Sequence, residues 1–189
     1  MGAGLLPDAD TEVIDPHWLE PLLYWAQQSE IGAAGAKLLY PSGHVQHAGV
    51  VLGIDGRAGH FERMSVRNAP GYFGRLCLPH EVSGVTAACL AIDTRKFAAA
   101  GGFDEVNLPI ELNDIDLCLR LKELGWTSVC VPDSVLIHHE SASRGTTLRP
   151  DELYPEEHRY FRDRWLHRLR DDPYFHPALS LDSLGPALG

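Results

Sequence analysis

Residues 113–124, NDIDLCLRLKEL, decide the fold class because they form the clearest helix in the chain. Leu117, Cys118, Leu121 and Leu124 recur at helical spacing on one face, and Gly125 follows as a left-handed stop. On the N-terminal side, residues 82–92 (VSGVTAACLAI) are apolar enough for one buried strand. A short helix from Thr94 to the Gly101-Gly102 pair fills the gap. On the C-terminal side, residues 128–131 and 135–138 read as two short strands separated by Pro132-Asp133. Beyond them, Tyr154, His158, Phe161, Trp165 and Leu169 sit at helical spacing in one helix over residues 151–169.

The N-terminal third adds to the same alternation. Leu5 and Leu6 end a short strand, and Asp15-Pro16 opens a helix as N-cap and first position, with Trp18, Leu19, Leu22 and Leu23 on its apolar face. Residues 31–39 and 45–52 read as strands joined by the turn Tyr40-Pro41-Ser42-Gly43, and residues 53–80 as a long surface loop. Strands alternating with helices predict an α/β fold with a mixed sheet. At 189 residues the chain makes one compact domain. Residues 1–149 form its body, and residues 150–189 a helix and tail packed on it.

Sixteen Lys and Arg against 26 Asp and Glu give a net charge of −10, and no basic stripe is dense enough to track phosphates. Nucleic acid is thereby excluded as a partner. An acidic chain that handles an anionic substrate needs local positive charge, which a bound divalent cation supplies. Cys77, Cys89, Cys118 and Cys130 lack any C-x-x-C pairing, and the apolar flanks of the last three favour buried, reduced thiols over disulfides. The N-terminus has no basic, apolar leader pattern and no segment reaches membrane-span length, so a cytoplasmic protein is expected.

Three constellations could carry chemistry. Asp8 and Asp10, two residues apart after a strand end, can turn two hard oxygen donors toward Mg²⁺ or Mn²⁺, or else simply form an acidic turn. At the start of the 113–124 helix, Asn113 suits the N-cap and Asp116 a capping box, which leaves Asp114 without a structural task. Asp114 shares a face with Leu117 and Leu121, so it points to the domain body as a candidate general base, with Glu111 beside it for an acceptor pocket. Finally, His138 and His139 end a strand and lead into a loop carrying Ser143 and Arg144, a combination suited to a metal and a diphosphate. They read equally as a solvated histidine pair. Among the remaining histidines only His47, in Gln46-His47-Ala48-Gly49, stands out.

In order and spacing, LLPDADTEVI, IGAAGAKLLYPSGHVQHAGVVLG, VTAACLAI with GGFDE, NDIDLCLRL and IHHESASRG closely resemble glycosyltransferase family 2 enzymes of the GT-A fold. The resemblance is to rhamnosyltransferase-like bacterial members and runs from about residue 5 to residue 181. It implies an inverting enzyme that uses Mn²⁺ or Mg²⁺ and moves a sugar from a UDP- or dTDP-sugar to a glycan or lipid-linked glycan, in cell-surface polysaccharide synthesis. Asp8 and Asp10 fall on the D-x-D element, with Asp10 the stronger ligand. His138 falls on a metal-completing histidine, with His139 as its substitute if the register slips by one. Asp114 falls on the catalytic base. Asn113 replaces the acidic residue that precedes the base in the family. Glu111, Asn113, His139, Ser143, Arg144 and His47 would line the substrate site.

In that family a nucleoside-binding β/α half precedes the D-x-D loop, whereas this sequence begins a few residues before it. The resemblance therefore implies a partial GT-A fold. A partner chain supplying that half, or contact with the cytoplasmic face of the inner membrane, is an accompanying expectation. Two other readings stay open: a non-catalytic acceptor-binding fragment, and a metal-dependent hydrolase built on Asp8, Asp10 and His138.

Overall fold

A computed structural model describes residues 2–7, 9–139 and 149–189. The chain runs through β1 (Ala3–Pro7), β2 (Thr11–Val13), α1 (Leu19–Ala26), β3 (Ile31–Leu39), β4 (Val45–His47), β5 (Val50–Leu52) and β6 (Ala58–His60). It continues with β7 (His80–Val82), β8 (Cys89–Asp93), α2 (Thr94–Ala99), α3 (Asn113–Glu123), β9 (Thr127–His138), α4 (Pro150–Leu153) and α5 (Pro155–Leu169). The fold is a mixed α/β arrangement around one main sheet of order β1-β8-β3-β9-β2, with β4 added to β3 and β7 to β9. The β3–β9 pair is parallel and the other ladders are antiparallel.

β1 and β2 lie at opposite ends of that order, yet only residues 8–10 separate them in sequence. Four strand spacings of about 4.8 Å make ~19 Å, whereas four residue steps reach about 14 Å. The sheet must therefore curl, bringing its two edges together at the carboxyl end of β3.

Side-chain alternation along β3 builds a core on each face. Ala34, Ala36 and Leu38 meet Leu22 and Ala26 of α1, while Ala33 and Leu39 join the cluster containing Leu117, Cys118 and Leu121 of α3. The far side of α3 presents Ile115 and Leu119 to Phe161, Trp165 and Leu169 of α5. The order of layers is α1, sheet, α3, α5. Gly35 opens the α3 face for the connection after β7, because a Cβ there would come within 2.4 Å of Val85.

Several local expectations change. Residues 45–52 are two strands in different sheets, because Gly49 turns the chain at φ +93° and β5 pairs with β6 instead of β3. Residues 82–92 also divide, into the end of β7 and β8, with the stretch between them crossing Gly35. Thr11–Val13 is a strand rather than a lead into a helix. The first helix begins at Leu19, because Asp15 spends its carboxylate on an Asx turn to His17 N–H at 2.8 Å. Tyr154 (φ −126°, ψ 56°) interrupts the last helix ahead of Pro155.

Residues 128–138 form one strand that carries a bulge. Ala36 pairs with Val131 but Lys37 pairs with Val135, which leaves Pro132, Asp133 and Ser134 looped out. Three is an odd number, so the bulge resets the alternation and lets Val131 and Leu136 reach the same α1-side core.

At α3 the N-cap is Leu112, in the left-handed region at φ 61°, and Asn113 is the first helical residue. Asp116 does not complete a capping box. It is fully buried and takes its partners from α5 and from Arg120.

Candidate functional site

Asp10 before β2 and residues of β4, β9 and the start of α3 lie toward the carboxyl end of the parallel pair β3 and β9. Thr11 pairs with His138, and the backbone N–H of His139 donates to the Asp10 carbonyl at 2.9 Å. The β2–β9 ladder thus fixes Asp10, His138 and His139 together. Crevices at the carboxyl ends of parallel strands are the usual ligand sites of α/β sheets, because the connections diverge there.

The two histidines differ. His138 Nδ1 lies 2.9 Å from Gln46 Oε1, and Gln46 Nε2 donates to the His138 carbonyl at 3.4 Å. This two-point grip makes Nδ1 the donor, so that in the neutral ring the lone pair is on Nε2. A metal-binding imidazole needs that state, with a neighbour holding its other nitrogen. His139 instead commits Nε2 to Glu12 Oε2 at 3.0 Å.

Asp114 is half-buried on the first turn of α3. Its Oδ2 accepts from Ala87 N–H at 3.0 Å and its Oδ1 from Ile115 N–H at 2.8 Å. Ala87 lies just before β8, whose register (Gly35 opposite Leu90) brings it level with the last residues of β3. Asp114 accordingly faces the body of the domain, as the helical spacing predicts. Glu111 and Asn113 flank it, both half-buried. Behind them the Glu157 carboxylate of α5 accepts from Ile110 N–H at 2.9 Å and Glu111 N–H at 2.8 Å. This anchorage holds the approach to the helix, including the left-handed Leu112.

His47 belongs to a second group. Gly49 N–H donates to its Nε2 at 3.3 Å, so its Nδ1 carries the proton and donates to His60 Nδ1 at 2.8 Å. Burial, followed by the nearby His60, His80 and His138, holds its pKa well below the usual histidine value, and the ring stays neutral. Its neighbour Gln46 bonds His138, so the two groups adjoin through β4.

Asp8, Ser143 and Arg144 lie outside the described residues. Among the described residues no three His, Cys, Asp or Glu side chains are placed to hold a metal ion. The backbone sets Asp10 opposite His139 and one residue out of step with His138. Motif reading passed over Gln46, the Ala87 N–H and Glu157. Of these, only Gln46 had a local signal, as the polar neighbour of His47 in an otherwise apolar run.

The described helices include none long and apolar enough to cross a membrane. No family model matches the chain. It is 43% identical over 179 residues to the Sinorhizobium fredii protein y4gI, covering 94% of this chain and 20% of that protein. It is 42% identical over 173 residues to the O-antigen biosynthesis protein RfbC of Myxococcus xanthus, covering 91% of this chain and 13% of that protein. Over 64 residues, 34% of this chain, it is 38% identical to the N-acetylglucosaminyl-diphospho-decaprenol L-rhamnosyltransferase of Mycobacterium tuberculosis, of which this covers 20%. The chain thus spans a fifth or less of the length of these relatives.

Proposed function

We propose that this chain is the metal-binding and acceptor-activating part of an inverting glycosyltransferase of GT-A type, acting in cell-surface polysaccharide synthesis. One observation carries the reading. Asp114, tied to Ala87, and His138, set by Gln46 with Nε2 available, both lie toward the carboxyl end of β3 and β9. The relatives named for O-antigen biosynthesis and L-rhamnosyl transfer support it.

Asp114 accepts the proton of an acceptor hydroxyl as that oxygen attacks the anomeric carbon. The new C–O bond forms on the face opposite the breaking bond to the diphosphate, so the anomeric configuration inverts and the nucleoside diphosphate departs with the bonding pair. The N–H donors on both Asp114 oxygens keep the carboxylate aimed. Asp10 and His138 Nε2, with Asp8, would hold Mn²⁺ or Mg²⁺, which supplies charge neutralisation for the leaving diphosphate. Glu111 and Asn113 are assigned to the acceptor side, and His139, Ser143 and Arg144 to the diphosphate side, whereas His47, expected on the acceptor side from the resemblance, is buried with both ring nitrogens bonded and has a structural place on β4. The donor is a UDP- or dTDP-sugar, and the acceptor a glycan or lipid-linked glycan.

The test is release of nucleoside diphosphate from UDP- and dTDP-sugars by the protein. Release is expected only with Mn²⁺ or Mg²⁺, and Asp114→Asn is expected to lower kcat by about 10²- to 10⁴-fold with KM little changed. The asparagine can still accept from Ala87 N–H, so the fold is kept. Unchanged turnover would remove Asp114 from the base role. Calorimetric Mn²⁺ affinity that is the same in wild type and His138→Ala would remove His138 as a ligand.

A further inference from the structure

Helix α3 starts without a cap of its own. Its N-cap, Leu112, offers no side-chain oxygen to the first turn and sits in the left-handed region at φ 61°, ψ 6°. A leucine is strained there, and strain of this kind persists where the surrounding structure holds it. The direction of the turn that carries Asp114 is therefore imposed from outside the helix.

Helix α5 imposes it. At one end of the segment Tyr160 donates its hydroxyl to Asp104 Oδ2 at 3.1 Å, and at the other the Trp165 indole N–H donates to Asp116. Leu112 itself packs on the cluster of Phe161 and Trp165. Between these holds, Glu157 Oε2 accepts from two consecutive backbone N–H groups, Ile110 at 2.9 Å and Glu111 at 2.8 Å. One oxygen thus fixes two successive peptide units, and only Leu112 and Asn113 separate them from Asp114.

The residue type is informative. Glu157 is 8% exposed, and a buried carboxylate is costly unless it is hydrogen-bonded. An apolar side chain one turn before Phe161 would serve stability as well. What an ionised oxygen adds is short, directional bonds, and its place in the first turn of α5 favours the charge. The geometry points to Glu157 as a positioning residue for the proposed transfer: it sets the 110–113 approach, so that Asp114 meets the Ala87 N–H at 3.0 Å and Glu111 and Asn113 are held beside it. It acts through the intervening backbone. The positioning stands on these hydrogen bonds, and its use in catalysis rests on the transfer reading.

The test follows the Ala87 amide in ¹H–¹⁵N spectra of the purified chain, with Asp114→Asn marking where that signal lies once the carboxylate charge is gone. Glu157→Ala is expected to move the signal most of the way to that position. Glu157→Gln keeps an acceptor oxygen and should leave it near the wild-type place. Leu169→Ala removes a buried side chain at the far end of the same helix and should not move it. With UDP- and dTDP-sugars and Mn²⁺, Glu157→Ala should lower kcat by about 10- to 100-fold with the donor KM unchanged, and Glu157→Gln should restore most of the rate. An Ala87 signal that stays put in Glu157→Ala, or moves equally in Leu169→Ala, overturns the positioning. Unchanged kcat beside a moved signal removes Glu157 from the reaction. Should Glu157→Ala fail to fold, Glu157→Asp, one methylene too short, must move the signal in the same direction, and an unmoved signal there is equally decisive against the role. A wild type that releases no nucleoside diphosphate sinks the transfer reading, while the Ala87 signal still decides whether Glu157 sets Asp114.

Discussion

The indole N–H of Trp165 donates to Asp116 Oδ1 at 2.8 Å, joining the last long helix to a carboxylate with no solvent exposure. Arg120 Nε donates to the other oxygen at 2.7 Å, and Arg164 approaches within 3.3 Å. Arg120 also reaches the Ala100 and Gly102 carbonyls, so one acidic residue ties α3, α5 and the turn after α2 together. Asp116→Ala would leave buried cationic and N–H groups unpaired. It is expected to cost about 3–5 kcal/mol in urea unfolding, against about 1–3 kcal/mol for Trp165→Phe. A loss under 1 kcal/mol for Asp116→Ala would contradict this account.

Gly35 connects packing to the candidate base. An added methyl at residue 35 meets Val85, and the segment it displaces also presents Ala87 N–H to Asp114. Gly35→Ala is expected to lower stability by about 1–3 kcal/mol. Its kcat should fall further than that of a surface variant chosen for equal loss of stability. Equal activity in the two would show that the Ala87 contact does not set Asp114.

Acid should unfold the protein partly through its histidines. Burial lowers the pKa of both His47 and His80 in the folded chain below the ordinary 6.5. Stability from each is therefore complete above pH 6.5 and is lost as the pH falls toward the folded value, because the unfolded chain takes up protons that the folded chain refuses. Melting temperature is expected to drop between pH 7 and pH 5, with a shallower drop in His47→Gln. An identical slope in that variant would clear His47 of the effect.

The thiols make a separate check on the core. Burial pushes Cys89 and Cys130 up to about 12 and Cys118 to about 11, whereas Cys77 is exposed. The thiolate is the reactive form. Ellman reagent should therefore titrate one thiol quickly in the native protein and all four in guanidinium. Two or more fast native thiols would mean that the faces of β8, β9 and α3 open readily.

Where local pattern and tertiary role coincide, the sequence is readable. β3, the stop at Gly101-Gly102, the span of α3 and the inward Asp114 follow from periodicity and glycine placement. Errors occur where a distant partner decides. Asp116 has the spacing of a cap, but Trp165, 49 residues away, claims its carboxylate. The 45–52 run divides because Gly49 takes φ +93° with Val82 against it, an approach that no pattern within the run encodes. At the site, the meeting of Asp10 with the His138-His139 pair follows from the β2–β9 ladder, and strand pairing is not written in either segment alone. The choice of His138 over His139 depends on Gln46, which reaches it from a strand 92 residues earlier.

The excursion at Pro132, Asp133 and Ser134 works as a phase setter for the end of β9. Because side chains alternate by two, any odd insertion hands the following residues to the other face, and His138 inherits its side of the sheet from that count, two residues beyond Leu136. Deleting a single residue from the excursion would leave both flanking strand segments intact while rotating the imidazole away from Gln46. A length change of one, at least four residues before His138 on the same strand, is therefore expected to be a more severe lesion to the site than most substitutions within it.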